Sequence, residues 1–312
     1  MTDRYALRLR RPRFTGRATP LVTRDESIRR LIALAVLSGV VAALVWYGTT
    51  QTLVGQQLAD VILYGRFTAD PDVIRAANEA LAVVGLTSAA ITALGLLTIA
   101  LAHGGVGLAL AGLAVLVGAN LTSYALKANL DRPDLLGSLA YAFGNSFPSG
   151  TVTLAASIGF VAVLVVPRRI RTPTAILGAA GVAIVGASTI VAGWHRLADV
   201  VGAILISLAW ASIAAAALAL AQGWMPRRTW GRGAGGRVVG VVAVVGVVAV
   251  AGGAVGIAIL FAEEQWLVEA LGGRASMAGP FAAALAIAVG TALVAFAAYV
   301  RAMRGIALEL PG

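Results

Sequence analysis

The chain has 312 residues, 59% of them hydrophobic and 12% charged, with a formal net charge of +10 and a mean hydropathy of +0.89. So apolar a composition excludes a soluble globular domain and places the chain in a bilayer. The absence of Cys excludes a disulfide framework, a thiolate metal site and redox chemistry through sulfur.

The first thirty residues carry nine Arg. No small-residue cleavage site follows the first apolar run, so residues 1–30 read as a basic cytosolic tail rather than a removable signal peptide. Beyond it, apolar runs long enough to cross a hydrocarbon core of roughly 30 Å fall near 31–50, 80–102, 104–126, 150–167, 173–194, 198–222, 238–262 and 278–300. These predict an all-α fold: a polytopic membrane helical bundle of about eight transmembrane helices. Residues 31–222 form a six-helix core, 223–237 a Gly/Arg-rich cytosolic linker, and 238–312 a C-terminal helix pair. Within the seventh run, Gly252 and Gly256 have the GxxxG spacing that lets two helices approach closely, within one chain or between two.

Placing the tail in the cytosol fixes the side of every later loop, and the basic residues then sort as the positive-inside rule requires. The tail, Arg168, Arg169, Arg171, the four Arg from Arg227 to Arg237, Arg301 and Arg304 fall inside. Most acidic residues fall outside. The positive charge thus reports membrane orientation rather than nucleic-acid binding, and membrane lipids are the expected partners. Both termini are expected in the cytosol of a bacterial cell, with the chain in its inner membrane.

Three polar stretches lie at the outer ends of helices three to six: Lys127 to Pro133, Pro148 to Thr151, and His195 to Asp199. Lys127 is the only Lys in the chain. Its compact ammonium suits a phosphate oxygen and Arg132 offers a planar fork to two, although interfacial snorkelling would use the same charges. Ser149, Gly150 and Thr151 open the fourth helix after Asn145 and Ser146, a terminus that taken alone reads first as ordinary capping and that also suits an anion. His195 and Asp199 are spaced i, i+4, so on a helix the carboxylate reaches the imidazole and leaves the other ring nitrogen free to attack phosphorus or take a proton. The same pair also suits a structural hydrogen bond or half of a metal site. No further His faces this side, so no metal and no cofactor is expected.

Taken together, the three stretches resemble the type 2 phosphatidic acid phosphatase family, whose pattern is K-x6-R-P, P-S-G-H and S-R-x5-H-x3-D. The resemblance spans Lys127 to Asp199. It implies that Lys127, Arg132 and the backbone at Ser149 and Gly150 hold phosphate, that His195 forms a phospho-histidine, and that Asp199 orients it. Three departures accompany it. The first block is two residues short, so Asp134 stands in the family's Arg register. Thr151 stands where the family has the His that protonates the leaving oxygen. Ser188-Thr189 stands where it has Ser-Arg. Arg196 is a candidate for the lost Arg, and Asp134 or Asp131 for the lost acid, while His103 falls on the opposite side of the bilayer.

The resemblance implies a metal-independent phosphatase or phosphotransferase acting on a lipid phosphate or diphosphate, such as a polyprenyl diphosphate or phosphatidate, at the extracytoplasmic face. A degenerate relative that binds or moves a lipid phosphate without hydrolysis is the competing reading, motivated by the missing His and Arg. A transporter is a third, disfavoured by the near absence of polar breaks within the spans.

Overall fold

In the computed structural model, residues 24–137, 144–221, 234–262 and 274–305 are described. The expected basic tail up to residue 23 and most of the linker expected at 223–237 lie outside the described residues. The helices are α1 (Arg24–Thr50), α2 (Leu53–Tyr64), α3 (Pro71–Val83), α4 (Leu86–Asn129), α5 (Gly150–Val165), α6 (Arg168–Val191), α7 (Leu197–Ala221), α8 (Ala234–Ala262) and α9 (Arg274–Ala302). Short 3-10 turns follow α2 at Gly65–Thr68 and α9 at Met303–Gly305. No strand occurs among the described residues.

Six of these helices, α1, α4, α6, α7, α8 and α9, are long and apolar enough to cross a membrane, and α5 is a shorter apolar helix. The protein is therefore a multi-pass membrane protein.

The two runs expected at 80–102 and 104–126 belong to one element of 44 residues, α4. It is not straight. Gly105 sits at φ 67 and ψ −167, a conformation open essentially only to glycine. A Cβ on Gly112 would lie 3.4 Å from the Leu97 side chain, although fifteen residues of straight helix span roughly 22 Å. The limbs before and after Gly105 therefore fold back on each other.

The stretch between the first two runs holds two helices that the apolar pattern did not announce. In α2, the Thr52 side chain caps the Gly55 amide, and Gly55 lies so close to the Gly48 carbonyl that any Cβ there would collide with it. The Gln56 amide donates to the carbonyls of Thr50 and Pro133, both at 2.7 Å, which ties α2 to the segment leaving α4. In α3, Arg75, Asp72 and Glu79 form exposed ion pairs on one face, while Ala77 and Leu81 are buried. The short apolar stripe and the charges together keep this helix at a surface.

The core lies between α5, α6 and α7, with α9 packed into it. Phe296 of α9 stacks on Phe160 of α5 at 4.3 Å, and Tyr299 meets the same ring edge-on at 5.4 Å. Phe296 occupies space left by Gly159 and Gly178, where a Cβ would come within 2.8 and 2.6 Å of its ring. The Tyr299 hydroxyl donates to the Ala211 carbonyl at 3.3 Å, which satisfies a polar atom deep in the bundle.

Helices α8 and α9 do approach closely, but not through the expected Gly252 and Gly256, around which a Cβ would find nothing within 4 Å. The contact uses Gly246 and Gly253 on α8, and Gly290 on α9. A Cβ on Gly246 would lie 2.9 Å from the Gly290 carbonyl, and one on Gly253 2.7 Å from the Ala283 carbonyl. Without hydrophobic drive between helices in lipid, such backbone proximity is what holds a pair together. The spacing of seven places these glycines on one face, whereas Gly252 and Gly256 lie on another.

Candidate active site

The C-terminal end of α4, the N-termini of α5 and α7, the C-terminal end of α6 and the helix α2 meet at one end of the bundle. The far end of α4's second limb, at Gly105, lies at the other. His103 is there, its ring bonded to the Ile99 carbonyl at 3.1 Å, out of reach of this cluster.

Helix α6 ends in a Schellman motif. The Trp194 amide donates to the Thr189 carbonyl at 2.9 Å and the Gly193 amide to the Ile190 carbonyl at 3.0 Å, with Gly193 at φ +76, the glycine position of such a cap. A Cβ on Gly193 would also collide with the Arg66 guanidinium. Ser188, buried, accepts from the Ala192 amide at 2.8 Å, and its place is within this cap. The turn delivers His195 to the start of α7.

Asp199 is the hub. It is the third residue of α7, and its Oδ2 accepts from the Arg196 amide at 3.0 Å, as an acidic residue does when it caps its own helix. The same oxygen accepts from the Ser146 hydroxyl at 2.6 Å and faces His195 Nδ1 at 3.2 Å. Its main-chain carbonyl accepts from the Ser149 amide at 3.0 Å, which fastens the start of α7 to the start of α5. The His195 side chain is 13% exposed and that of Asp199 3%, so the imidazole sits at the rim and its carboxylate beneath.

Ser149 caps α5, its Oγ accepting from the Val152 amide at 3.3 Å. A cis bond joins Phe147 to Pro148. The Phe147 ring lies where a Cβ on Gly202 would be, which lets the turn before α5 sit flat on α7. Beside Gly150, a Cβ would meet nothing within 4 Å. Thr151 is partly exposed next to it. The first amides of a helix have no intrahelical partner and carry the positive end of its dipole, so open space here is space for an anion.

A second layer of charge lies behind. Arg196 donates through Nη1 to the Ser146 hydroxyl at 3.1 Å. Its Nε and the Arg132 guanidinium each lie 3.6 Å from Asp60 Oδ1, all three side chains being 6% exposed. Burial, and then the neighbouring Arg196, pull the Arg132 guanidinium below its ordinary value, while Asp60 and Asp199 oppose this. Asp60 was not singled out by the sequence reading. Its signal was a carboxylate and Gln56 one turn apart within a short apolar stretch, a combination that calls for buried partners.

The three sequence stretches thus converge, though unevenly. His195, Asp199 and Ser149 are directly linked, and Arg196 and Arg132 join them through Ser146 and Asp60. Lys127 is placed by its main chain, whose carbonyl accepts from the Asn145 amide at 3.4 Å. Asp134 is occupied elsewhere, accepting from the Gly137 amide at 2.7 Å. Asp131 is exposed, with its carbonyl accepting from Gln51 at 2.7 Å. Among the described residues no group of His, Asp and Glu side chains is arranged to hold a metal ion.

No curated protein and no solved structure matches the chain. Residues 106–223 match the model of the PAP2 superfamily, a segment that runs from just past Gly105 through α7 and carries Lys127, Arg132, Ser149, His195 and Asp199.

Proposed function

We propose that the protein is a lipid phosphate phosphatase or phosphotransferase that works through a phospho-histidine on His195, with a diphosphate as its favoured substrate. The match of residues 106–223 to the PAP2 superfamily model supports a phosphatase-type activity on lipid phosphates in general. The observation that carries the finer reading is the His195–Asp199 pair, 3.2 Å apart, fastened by the Asp199 carbonyl to the open N-terminus of α5.

With Nδ1 donating to Asp199, the lone pair on Nε2 is available for phosphorus. The Nε2–P bond forms as the bond from phosphorus to the leaving oxygen breaks, and that oxygen departs with its electron pair. Water then attacks phosphorus and regenerates His195 with release of inorganic phosphate, or a second hydroxyl does so and becomes phosphorylated. The amides at the start of α5, with Lys127, Arg132 and Arg196, offset negative charge on the equatorial oxygens. Gly150 keeps the approach to those amides clear.

Thr151 is too weak an acid to protonate an alkoxide, and loss of a general acid costs about 10²- to 10⁴-fold. A leaving phosphate needs no such help, which favours a lipid diphosphate over a phosphomonoester. No metal enters this scheme. The charge sorting of the loops supports a site on the extracytoplasmic face.

Purified protein should release phosphate from a polyprenyl diphosphate faster than from a phosphatidate. His195→Ala should reduce that release on the order of 10⁴-fold or more; undiminished turnover in the variant would refute the covalent route. The second reading, a lipid-phosphate binder without hydrolysis, is favoured by Asp60, which lies between Arg132 and Arg196 and shares their charge. Saturable binding of the diphosphate with no release from any lipid tried would decide for it.

A further inference from the structure

Below the charged cluster lies an apolar cleft of about 570 Å³ between α1, α2, α7, α8 and α9, within the range of small-molecule sites. Of its walls only α7 lies within the segment matched to the superfamily model; α1, α2, α8 and α9 lie outside it. One end of it reaches the elements that carry the site: Ala59, Leu197 and Ala198 line it, next in sequence to Asp60, Arg196 and Asp199. Along α1 the lining runs from Thr49 to Leu34, roughly 22 Å of helix, which is longer than one leaflet's share of a hydrocarbon core about 30 Å thick.

The lining offers almost nothing to a polar ligand. Thr49 and Thr291, two of its few polar side chains, donate their hydroxyls to carbonyls of their own helices at 2.6 and 2.7 Å. We infer that this cleft holds the hydrocarbon chain of a lipid whose phosphate lies in the cluster of His195, Arg132 and Arg196, with the chain's far end near Leu34 and Ala298. This rests on the proposed function for the identity of the headgroup. A chain leaving the bilayer for the cleft gains little from the hydrophobic effect, because lipid tails are already apolar. Its length and shape are therefore what the cleft selects, and it aligns the headgroup beneath His195.

A second cavity, of about 360 Å³ and lined by Arg30, Arg301 and Arg304, meets the cleft at Leu34 and Ala298. It defines the reversed pose, with the headgroup at the opposite end.

The test uses the full chain in lipid nanodiscs with hexadecyl diphosphate carrying a diazirine on its terminal carbon. After illumination, peptides around Leu34 and Ala298 should carry the probe. Label concentrated near Thr49 and Leu197 would overturn the inference in favour of the reversed pose, and label spread over the outward faces of α4 and α6 would overturn it outright. Thr291→Trp, which fills the cleft, should abolish the labelling and lower kcat/KM for the long-chain diphosphate by roughly tenfold or more, while hydrolysis of a short water-soluble diphosphate ester stays unchanged. Thr291→Val keeps the wall apolar and should behave as the parent, which separates a blocked cleft from a misfolded chain. Labelling near Leu34 with no phosphate released from either substrate would refute the phosphatase and sustain the cleft. Release from the short ester with scattered label would refute the cleft alone.

Discussion

At Asp60 two guanidinium groups share one carboxylate, each 3.6 Å away and all three side chains nearly buried. Removing one member of a buried ionic group is costly because the others are left uncompensated. Asp60→Asn should lower stability by about 3 kcal/mol and leave the cluster more positive. Inorganic phosphate should then raise the melting temperature of the variant more than that of the parent. Equal shifts would show that Arg132 and Arg196 do not face the anion. Gly193 is constrained twice, by its positive φ and by the Arg66 guanidinium against it. Gly193→Ala should cost roughly 1–2 kcal/mol for the left-handed conformation alone and displace the turn that presents His195. A thermal melt and a phosphate-release assay on the variant would read both effects.

At the scale of elements, α4 depends on one residue. Gly105→Ala forces a β-carbon into a region essentially closed to it, at about 1–3 kcal/mol, and should loosen the packing of Leu97 against Gly112. Faster proteolysis at that turn, measured in nanodiscs, would register the change; an unchanged cleavage rate would mean that packing alone defines the reversal. The long helices were legible because a run of apolar residues, ended by charge or Pro, is a strong signal in a membrane protein. Helix α2 was not, since its twelve residues are too few to span. The glycine contacts were half legible: the composition announced close packing, but only the face that α8 turns to α9 distinguishes Gly246 and Gly253 from Gly252 and Gly256. In the site, the i, i+4 spacing sufficed for His195 and Asp199. The tie between α5 and α7 was invisible because it runs through the Asp199 main chain, and a backbone carbonyl has no sequence signature. Asp134, read by its register, has its carboxylate bonded to the Gly137 amide, a local turn that the register does not announce.

For the whole molecule, the sorting of Arg predicts that the end bearing His195 faces away from the cytosol. Because the chain has no Cys, a single introduced thiol reports alone. Asp131→Cys, in an exposed loop beside the site, should react with a membrane-impermeant maleimide on intact cells. His103→Cys, exposed at the opposite end, should react only after lysis, and the reverse pattern would invert the protein in its membrane. The stacking of Phe296 on Phe160, over Gly159 and Gly178, has a consequence for truncation. A chain ending after α7 would open a trench along the two glycines with no aromatic ring to fill it, so α5 and α6 depend on α9 for their packing. The segment through α7 could not simply be excised and used on its own; the glycines would first have to be replaced by larger residues.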